Sequence, residues 1–560
     1  MKKYFIALIL CFVFYNSSKS QKIIYSPVQD EIFSNFITDV ICKKNNKIFV
    51  YTAFYDIISP GNANSYKPTI NPGVPKTNNG LIEVFDNEMH ILYKKPLLTS
   101  LNNFSAVHFV VFENYFNMFY QYQKRHTIYY MVAKFDFDVN MIGTPIKLAE
   151  KNKMENDFPN QLFSNCYSEN KKHFIVYSIW NDRNKTSSVN CLHYDENFRL
   201  IKSSTLKIPV RYRKDYLHDF NVDDDGNLIF LRTTKEYKTN YAERNTLIIQ
   251  PQHSDSIIFK ALLLPKIFAD EFHVKIDNKN KRYILTSFYS SKAGDDMEGL
   301  YTFILNIGQN QTPLITTTVF GNELRKKIKD KTVSKDAFND FFIQHIHLKN
   351  DGGFLIDAEN LVEIPERHQQ NRWSFYYYSS IQLVQNYSNE NRASLNFSLD
   401  NFYNPNYYFP WHPWEFFEDV SFSNNPQKTV ITNYNASSFI SQKTVVLNFN
   451  ADGNAEWMKV LNTPQRDELV NSVGYVNAEM DNSLYFLYNE NILNKIFITA
   501  QSINDKGEIN VAGNLKEDKM ILGSNTEYTL LPRFGKQVSE KEVVLPCLAG
   551  RYICFAKIEL

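Results

Sequence analysis

The chain has 560 residues, of which 15% are aromatic and 22% charged, with 61 basic against 60 acidic side chains. This excludes disorder, which goes with few aromatics and a large net charge. The low content of 18 Gly and 20 Pro excludes collagen-like and linker-like classes. The 44 Phe and 35 Tyr favour half-buried strands over helices, so the composition leans all-β.

The N-terminus reads as a secretory signal. Lys2 and Lys3 precede an apolar core from Phe5 to Tyr15, and Ser18 and Ser20 sit at −3 and −1 of a cut before Gln21. The rival, a retained anchor, meets the objection that this core is shorter than the ~20 residues needed to span a bilayer. Cys11 does not make a lipoprotein signal, because Leu10 stands where a small residue is expected and the apolar core runs past it. Removing residues 1–20 takes away Lys2, Lys3 and Lys19 and no acid, leaving 58 basic against 60 acidic residues, net −2. Nucleic acid and anionic lipid need a basic excess, so neither is an expected partner. The richest basic run, Arg325-Lys326-Lys327-Ile328-Lys329, reads as a solvated helix face. No later run approaches ~18 consecutive apolar residues, so no membrane insertion is expected. The expected location is the periplasm, the outer surface or the extracellular medium.

A four-strand pattern then recurs. Its clearest unit spans 106–149 (106–113, 115–123, 127–137 and 141–149), followed by units at 161–209, 216–263 and 271–320. Four strands per roughly 50 residues is the signature of a β-propeller. Turns such as Asp224-Asp225-Gly226-Asn227, Asn350-Asp351-Gly352-Gly353, Asp452-Gly453-Asn454 and Asp505-Lys506-Gly507 carry hairpin chemistry. Second strands such as Leu228-Ile229-Phe230-Leu231 are continuously apolar, as expected of strands covered on both faces. A unit at 36–98 and further units near 341–400, 416–462 and 469–513 extend the count. The tail 526–560 offers three more strands, which Ile23-Ile24-Tyr25 would join to close the ring. The reading is a single domain over 21–560, with eight blades favoured and seven or nine as neighbouring counts. Its rivals are paired β-sandwiches and a β-helix, and no shorter, stricter repeat supports the latter. Insertions are expected at 57–80, 322–339 and 386–415.

Five cysteines remain in the exported chain. Cys166 and Cys191 fall on the first and third strands of one sheet, about 9–10 Å apart and beyond disulfide reach. Cys547 and Cys554 flank a turn and would face each other across a four-residue loop. They read first as small buried hydrophobes and second as a bridge.

Few motifs carry chemistry. Asp452 and Trp457 share the spacing of the Asp-box of sialidase-like propellers but match it at two of five positions, so a hairpin with a buried Trp is the better reading. Asn221 to Gly226 begins like a calcium loop, yet Arg232 stands where a bidentate Glu is required. A weaker carboxylate site there is the minor alternative. His345 and His347 form H-x-H on a strand, with both rings on one face about 6.6 Å apart along it. A metal would need a third ligand, so no metal site and no cofactor is assigned. His108, His218 and His273 also fall on first strands, which line a propeller's channel. Between Phe402 and Phe417, nine of 16 residues are aromatic. Tyr407, Tyr408, Trp411, His412 and Trp414 are the candidate binding residues, since rigid rings with polar tips suit sugars or proteins. The competing reading is a loop that plugs the fold with its own rings. No nucleophile elbow, HExxH, P-loop, Rossmann glycine pattern or CxxC occurs.

The signal ending Ser20-Gln21, the hairpin Asn350 to Leu355 and the segment Asn450 to Trp457 resemble those of secreted propeller-like proteins of Bacteroidota bacteria. The resemblance implies a fold more than an activity. The expectation is a binding or scaffold protein for a protein or glycan partner. The alternative is a carbohydrate-active or metal-assisted enzyme with its site at the channel mouth.

Overall fold

The computed structural model describes residues 22–29, 36–55, 77–98, 104–152, 163–182, 186–210, 215–235, 242–264, 266–270, 272–292, 296–307, 312–330, 333–364, 438–467, 472–492, 495–517, 527–550 and 552–560. They form eight four-stranded antiparallel blades arranged as a β-propeller. Blade one comprises Phe36–Lys44, Lys47–Tyr55, Thr77–Phe85 and Ile91–Pro96. Blades two to five begin at Phe104–Val111, Ser164–Tyr167, Asp215–Val222 and His273–Asp277, close to the expected units. Blade seven begins at Val476–Met480.

Blade six corrects the expected division. Its strands are Phe341–Leu348, Phe354–Asn360, Ser438–Phe449 and Ala455–Asp467, and the second pairs directly with the third from Phe354↔Phe449 to Glu359↔Thr444. Residues 341–360 and 438–467, expected in two separate units, are therefore one blade. The eighth blade is the tail: Lys536–Ser539, Glu542–Ala549 and Tyr552–Glu559, with Lys22–Tyr25 paired antiparallel to the last of these. The expected closure thus occurs, and it removes a sheet edge.

Apolar packing closes the circle. Eight large clusters of buried side chains each join two neighbouring blades. The one that seals the ring packs Ile24, Val544 and Phe555 of blade eight against Val40, Val50 and Phe85 of blade one. Second strands are covered on both faces, as their continuous apolar runs required: every residue of Arg282–Ser290 is buried. Outermost strands alternate instead, as in Ile91–Pro96.

The hairpins share one device. The carboxylate of Asp223 accepts hydrogen bonds from the backbone N–H of Asp225 and Asn227, and Gly226 takes φ +81°, where a side chain would be strained. Asp86, Asp136, Asp195, Asn450 and Asn504 make the same pair of contacts. Asp223 also accepts from Asn227 Nδ2 at 2.8 Å and Tyr283 Oη at 2.7 Å. Its oxygens hold the turn together, which explains the run of acids without a calcium loop.

Several local expectations change. Helix Asn322–Ile328 forms in the expected 322–339 insertion, but Arg325 is not on a solvated face. It is buried and donates to the carbonyls of Phe320, Lys335 and Met297. Trp457 is half-buried rather than buried, and its indole N–H donates to the Asp505 carbonyl at 2.9 Å. The expected loop 57–80 ends earlier, because Thr77 already begins a strand. Cys547 and Cys554 stand opposite each other with Cα atoms 5.1 Å apart and form a disulfide, which corrects the preference for separate buried hydrophobes. Cys166 and Cys191 are buried free thiols on the first and third strands of blade three, as expected. Among the described residues, no helix is long and apolar enough to cross a membrane.

Candidate functional site

The first strands of blades three to seven and the entry to blade eight surround a cavity of about 580 Å³ near the ring axis. Its wall is rich in hydrogen-bonding groups, among them Asn221, Lys275, Gln344, His345, Asn477 and Gln537. Part of this wall is a deliberate irregularity. The ladder between the first two strands of blade four slips between His218 and Asn221, and Asp219 takes φ +60°. That turns the Asp219 carboxylate to accept the Val274 N–H of blade five at 2.6 Å.

The most concentrated chemistry lies where blade six meets blade seven. Strand alternation puts His345 and His347 on one face, and the hairpin register places Asp357 opposite His345. Asp357 is fully buried, while both histidines are mostly covered and reach the cavity. His345 Nδ1 lies 3.1 and 3.2 Å from the two Asp357 oxygens. His347 Nε2 lies 2.8 Å from Asp357 Oδ2, and its Nδ1 lies 2.9 Å from Glu479 Oε1. Blade seven supplies the rest: Tyr475 donates its hydroxyl to Asp357 Oδ1, and Asn477 Nδ2 donates to Asp357 Oδ2 at 2.9 Å.

These contacts fix the local charge. Burial works against the charge on His347, but hydrogen bonds to Asp357 and Glu479 outweigh it and raise the pKa to about 9. Burial likewise opposes ionisation of Asp357, yet His345 and His347 hold its carboxyl well below the usual range. Burial first, and then the Asp357 charge, push the Tyr475 phenol well up. The proton therefore stays on the tyrosine, which remains a donor to the carboxylate.

The other first-strand histidines do not join this cluster. His108 stacks on Phe119 with centroids 4.7 Å apart and meets Asn165 Nδ2 at 3.1 Å. His218 Nε2 lies 2.8 Å from Thr233 Oγ1, and His273 lines the cavity. Burial lowers His108 and His273 to about 4 and His218 to about 3. Among the described residues, the His345–His347–Asp357 trio is the group of three ligand-type side chains whose donor atoms converge. Tyr407, Tyr408, Trp411, His412 and Trp414 lie outside the described residues, as does the whole 386–415 insertion.

Sequence reading missed Asp357, Tyr475, Asn477 and Glu479. A signal for the first was present: Asp357 and Glu359 fall within the buried second strand Phe354–Asn360, after the apolar run Phe354-Leu355-Ile356. Acids in a strand covered on both faces need partners.

No protein-family model and no curated protein sequence matches this chain. Solved structures of similar shape do exist. One is a polysaccharide lyase, an ulvan lyase bound to -[GlcA(1-4)Rha3S]-, at 9% identity over 80% of this chain and 90% of that one, with a TM-score of 0.36. Another is a hypothetical selenium-binding protein from Sulfolobus tokodaii, at 9% identity over 78% and 93%, TM-score 0.34. A third is an alpha-L-arabinanase of Penicillium chrysogenum complexed with arabinobiose, at 10% identity over 60% and 93%, TM-score 0.28. Likeness at this level carries no argument about this chain.

Proposed function

We propose that this chain is an exported β-propeller that binds a glycan at the open cavity on its axis. The observation that carries this reading is the cavity itself. Its volume of about 580 Å³ falls within the range of small-molecule sites. Side-chain amides, two lysines and carboxylates around it offer both donors and acceptors, which suits a hydroxyl-rich ligand better than an apolar one. A flat protein partner would instead call for about 800 Å² of surface per side. Export rests on the N-terminal segment and places the protein in the periplasm, on the outer surface or outside the cell. The motif resemblance favours a Bacteroidota envelope. The aromatic segment 402–417 remains a candidate contact on its composition alone, since rigid rings with polar tips suit sugars.

The test is a glycan array followed by calorimetry on the exported chain. Lys275→Ala with Gln344→Ala should weaken a cognate glycan at least tenfold, and Trp411→Ala with Trp414→Ala should do the same without unfolding the protein. If no glycan binds, or if the cavity pair leaves affinity unchanged, the reading fails. One observation favours a second reading, metal-assisted catalysis at the cavity: the convergence of His345, His347 and Asp357. Release of new reducing or unsaturated sugar ends from a bound glycan would select it.

A further inference from the structure

We propose that His345, His347 and Asp357 form a binding site for a first-row divalent transition metal, with an open coordination position facing the axial cavity. The inference does not rest on the glycan reading, since it concerns ion binding by the protein alone.

Three features of the geometry support it. The first is the convergence of donors. The donor atoms of the three residues lie within 4.8 Å of one another. Two ligands bound at 2.0–2.1 Å to a tetrahedral ion stand about 3.3 Å apart. The separations from Asp357 Oδ2, 3.2 Å to His345 Nδ1 and 2.8 Å to His347 Nε2, are close to that edge. Only a small opening would admit an ion.

The second feature is that supporting contacts are already built. A metal-bound histidine usually gives its other ring N–H to a carboxylate, which fixes the tautomer. His347 does so: Nε2 faces the cluster while Nδ1 meets Glu479 Oε1 at 2.9 Å. A ligating carboxylate is usually anchored in turn. Tyr475 anchors Asp357 through Oδ1 and leaves Oδ2 to the cluster.

The third feature is Asn477. Its Nδ2 stands 2.9 Å from Asp357 Oδ2, 3.2 Å from His345 Nδ1 and 3.3 Å from His347 Nε2, so the three prospective ligand atoms surround one point. Asn477 Oδ1 is buried with no hydrogen-bond partner among the described residues. Turning the amide over brings this oxygen to the same point, where it would face a cation as a further donor. Both imidazoles line the cavity, so water or a ligand can reach the remaining position.

Two imidazoles and one carboxylate suit Zn²⁺ or Fe²⁺ rather than Ca²⁺ or Mg²⁺, which prefer all-oxygen shells. The test loads the metal-stripped exported chain with Zn²⁺, with Fe²⁺ under anaerobic conditions, and with Co²⁺ as an optical probe. One equivalent should bind, and Co²⁺ should give visible ligand-field bands. His345→Ala and His347→Ala should each weaken binding at least 100-fold, and Glu479→Gln about tenfold. His126→Ala, on an exposed turn, should leave it unchanged. Asp357→Asn should also abolish binding, with circular dichroism checking its fold. The inference is overturned if the unmutated protein takes up none of the three ions stoichiometrically. It is equally overturned if the folded His345→Ala and His347→Ala variants bind as the parent does.

Discussion

Glu359 and Arg533 form a buried ion pair that ties the second strand of blade six to the short 3-10 turn Pro532–Phe534 leading into blade eight. Both side chains are almost wholly covered, so neither charge has water as an alternative partner. Removing one member of such a pair strands the other and typically costs about 3–5 kcal/mol. Arg533→Met should lower the unfolding free energy by roughly that amount, while Arg533→Met with Glu359→Leu should recover much of it. Urea denaturation of the four proteins of this cycle measures the coupling. A loss below about 1 kcal/mol in the single variant would show that the pair contributes little.

Gly474 makes room for that arginine. It takes φ +111°, and a Cβ there would sit 2.9 Å from Arg533 Cζ. Gly474→Ala therefore adds backbone strain to a clash, and a loss of roughly 1–3 kcal/mol is expected. Part of the effect should vanish in an Arg533→Met background, because only the strain then remains. Equal losses in both backgrounds would separate Gly474 from the ion pair.

The Cys547–Cys554 disulfide closes a short loop between adjacent strands of the closing blade. Chain-entropy arguments give such a loop about 2.5 kcal/mol of stabilisation. Cys547→Ser with Cys554→Ser should lower the unfolding midpoint accordingly, and reductant should affect the parent but not the variant. Thiol titration of the unfolded, unreduced chain from Gln21 onward should find Cys42, Cys166 and Cys191 reactive and no others.

Acid should destabilise the fold through its buried histidines. Burial lowers the pKa of His218 to about 3, against about 6.5 in an unfolded chain. The unfolded state then binds a proton that the native state refuses, so the stability is present above pH 6.5 and is lost as pH falls toward 3. A single such group gives a slope of up to about 1.4 kcal/mol per pH unit. His108 and His273 are shifted in the same direction by burial. His218→Gln should flatten the profile between pH 6 and 4 in denaturation experiments. An unchanged slope would show that His218 is not the responsible group.

The sequence made the propeller legible because its signals are local. Apolar second strands, Asx-Gly turns and four-strand spacing all act within about 50 residues, and they placed blades one to five closely. Blade six was hidden because its halves, 341–360 and 438–467, are separated by a long insertion, and no local rule says that Glu359 pairs with Thr444. The candidate site shows the same limit. The pairing of His345 with His347 follows from strand period alone, and Asp357 is one hairpin register away. Tyr475, Asn477 and Glu479 lie more than 100 residues further on, and only the packing of one blade against the next brings them in. Arg325 was misjudged because a basic run on a short helix looks solvated until the carbonyls it caps are known.

The strand Lys22–Tyr25, which completes the last blade, imposes an order on assembly. It is made before the other strands of the sheet it joins, and its antiparallel partner Tyr552–Glu559 is made long after it. While the chain is being delivered, seven blades can collapse in sequence, but the first strand must wait with its hydrogen bonds unmet. The seam between blades eight and one is therefore the last joint to set.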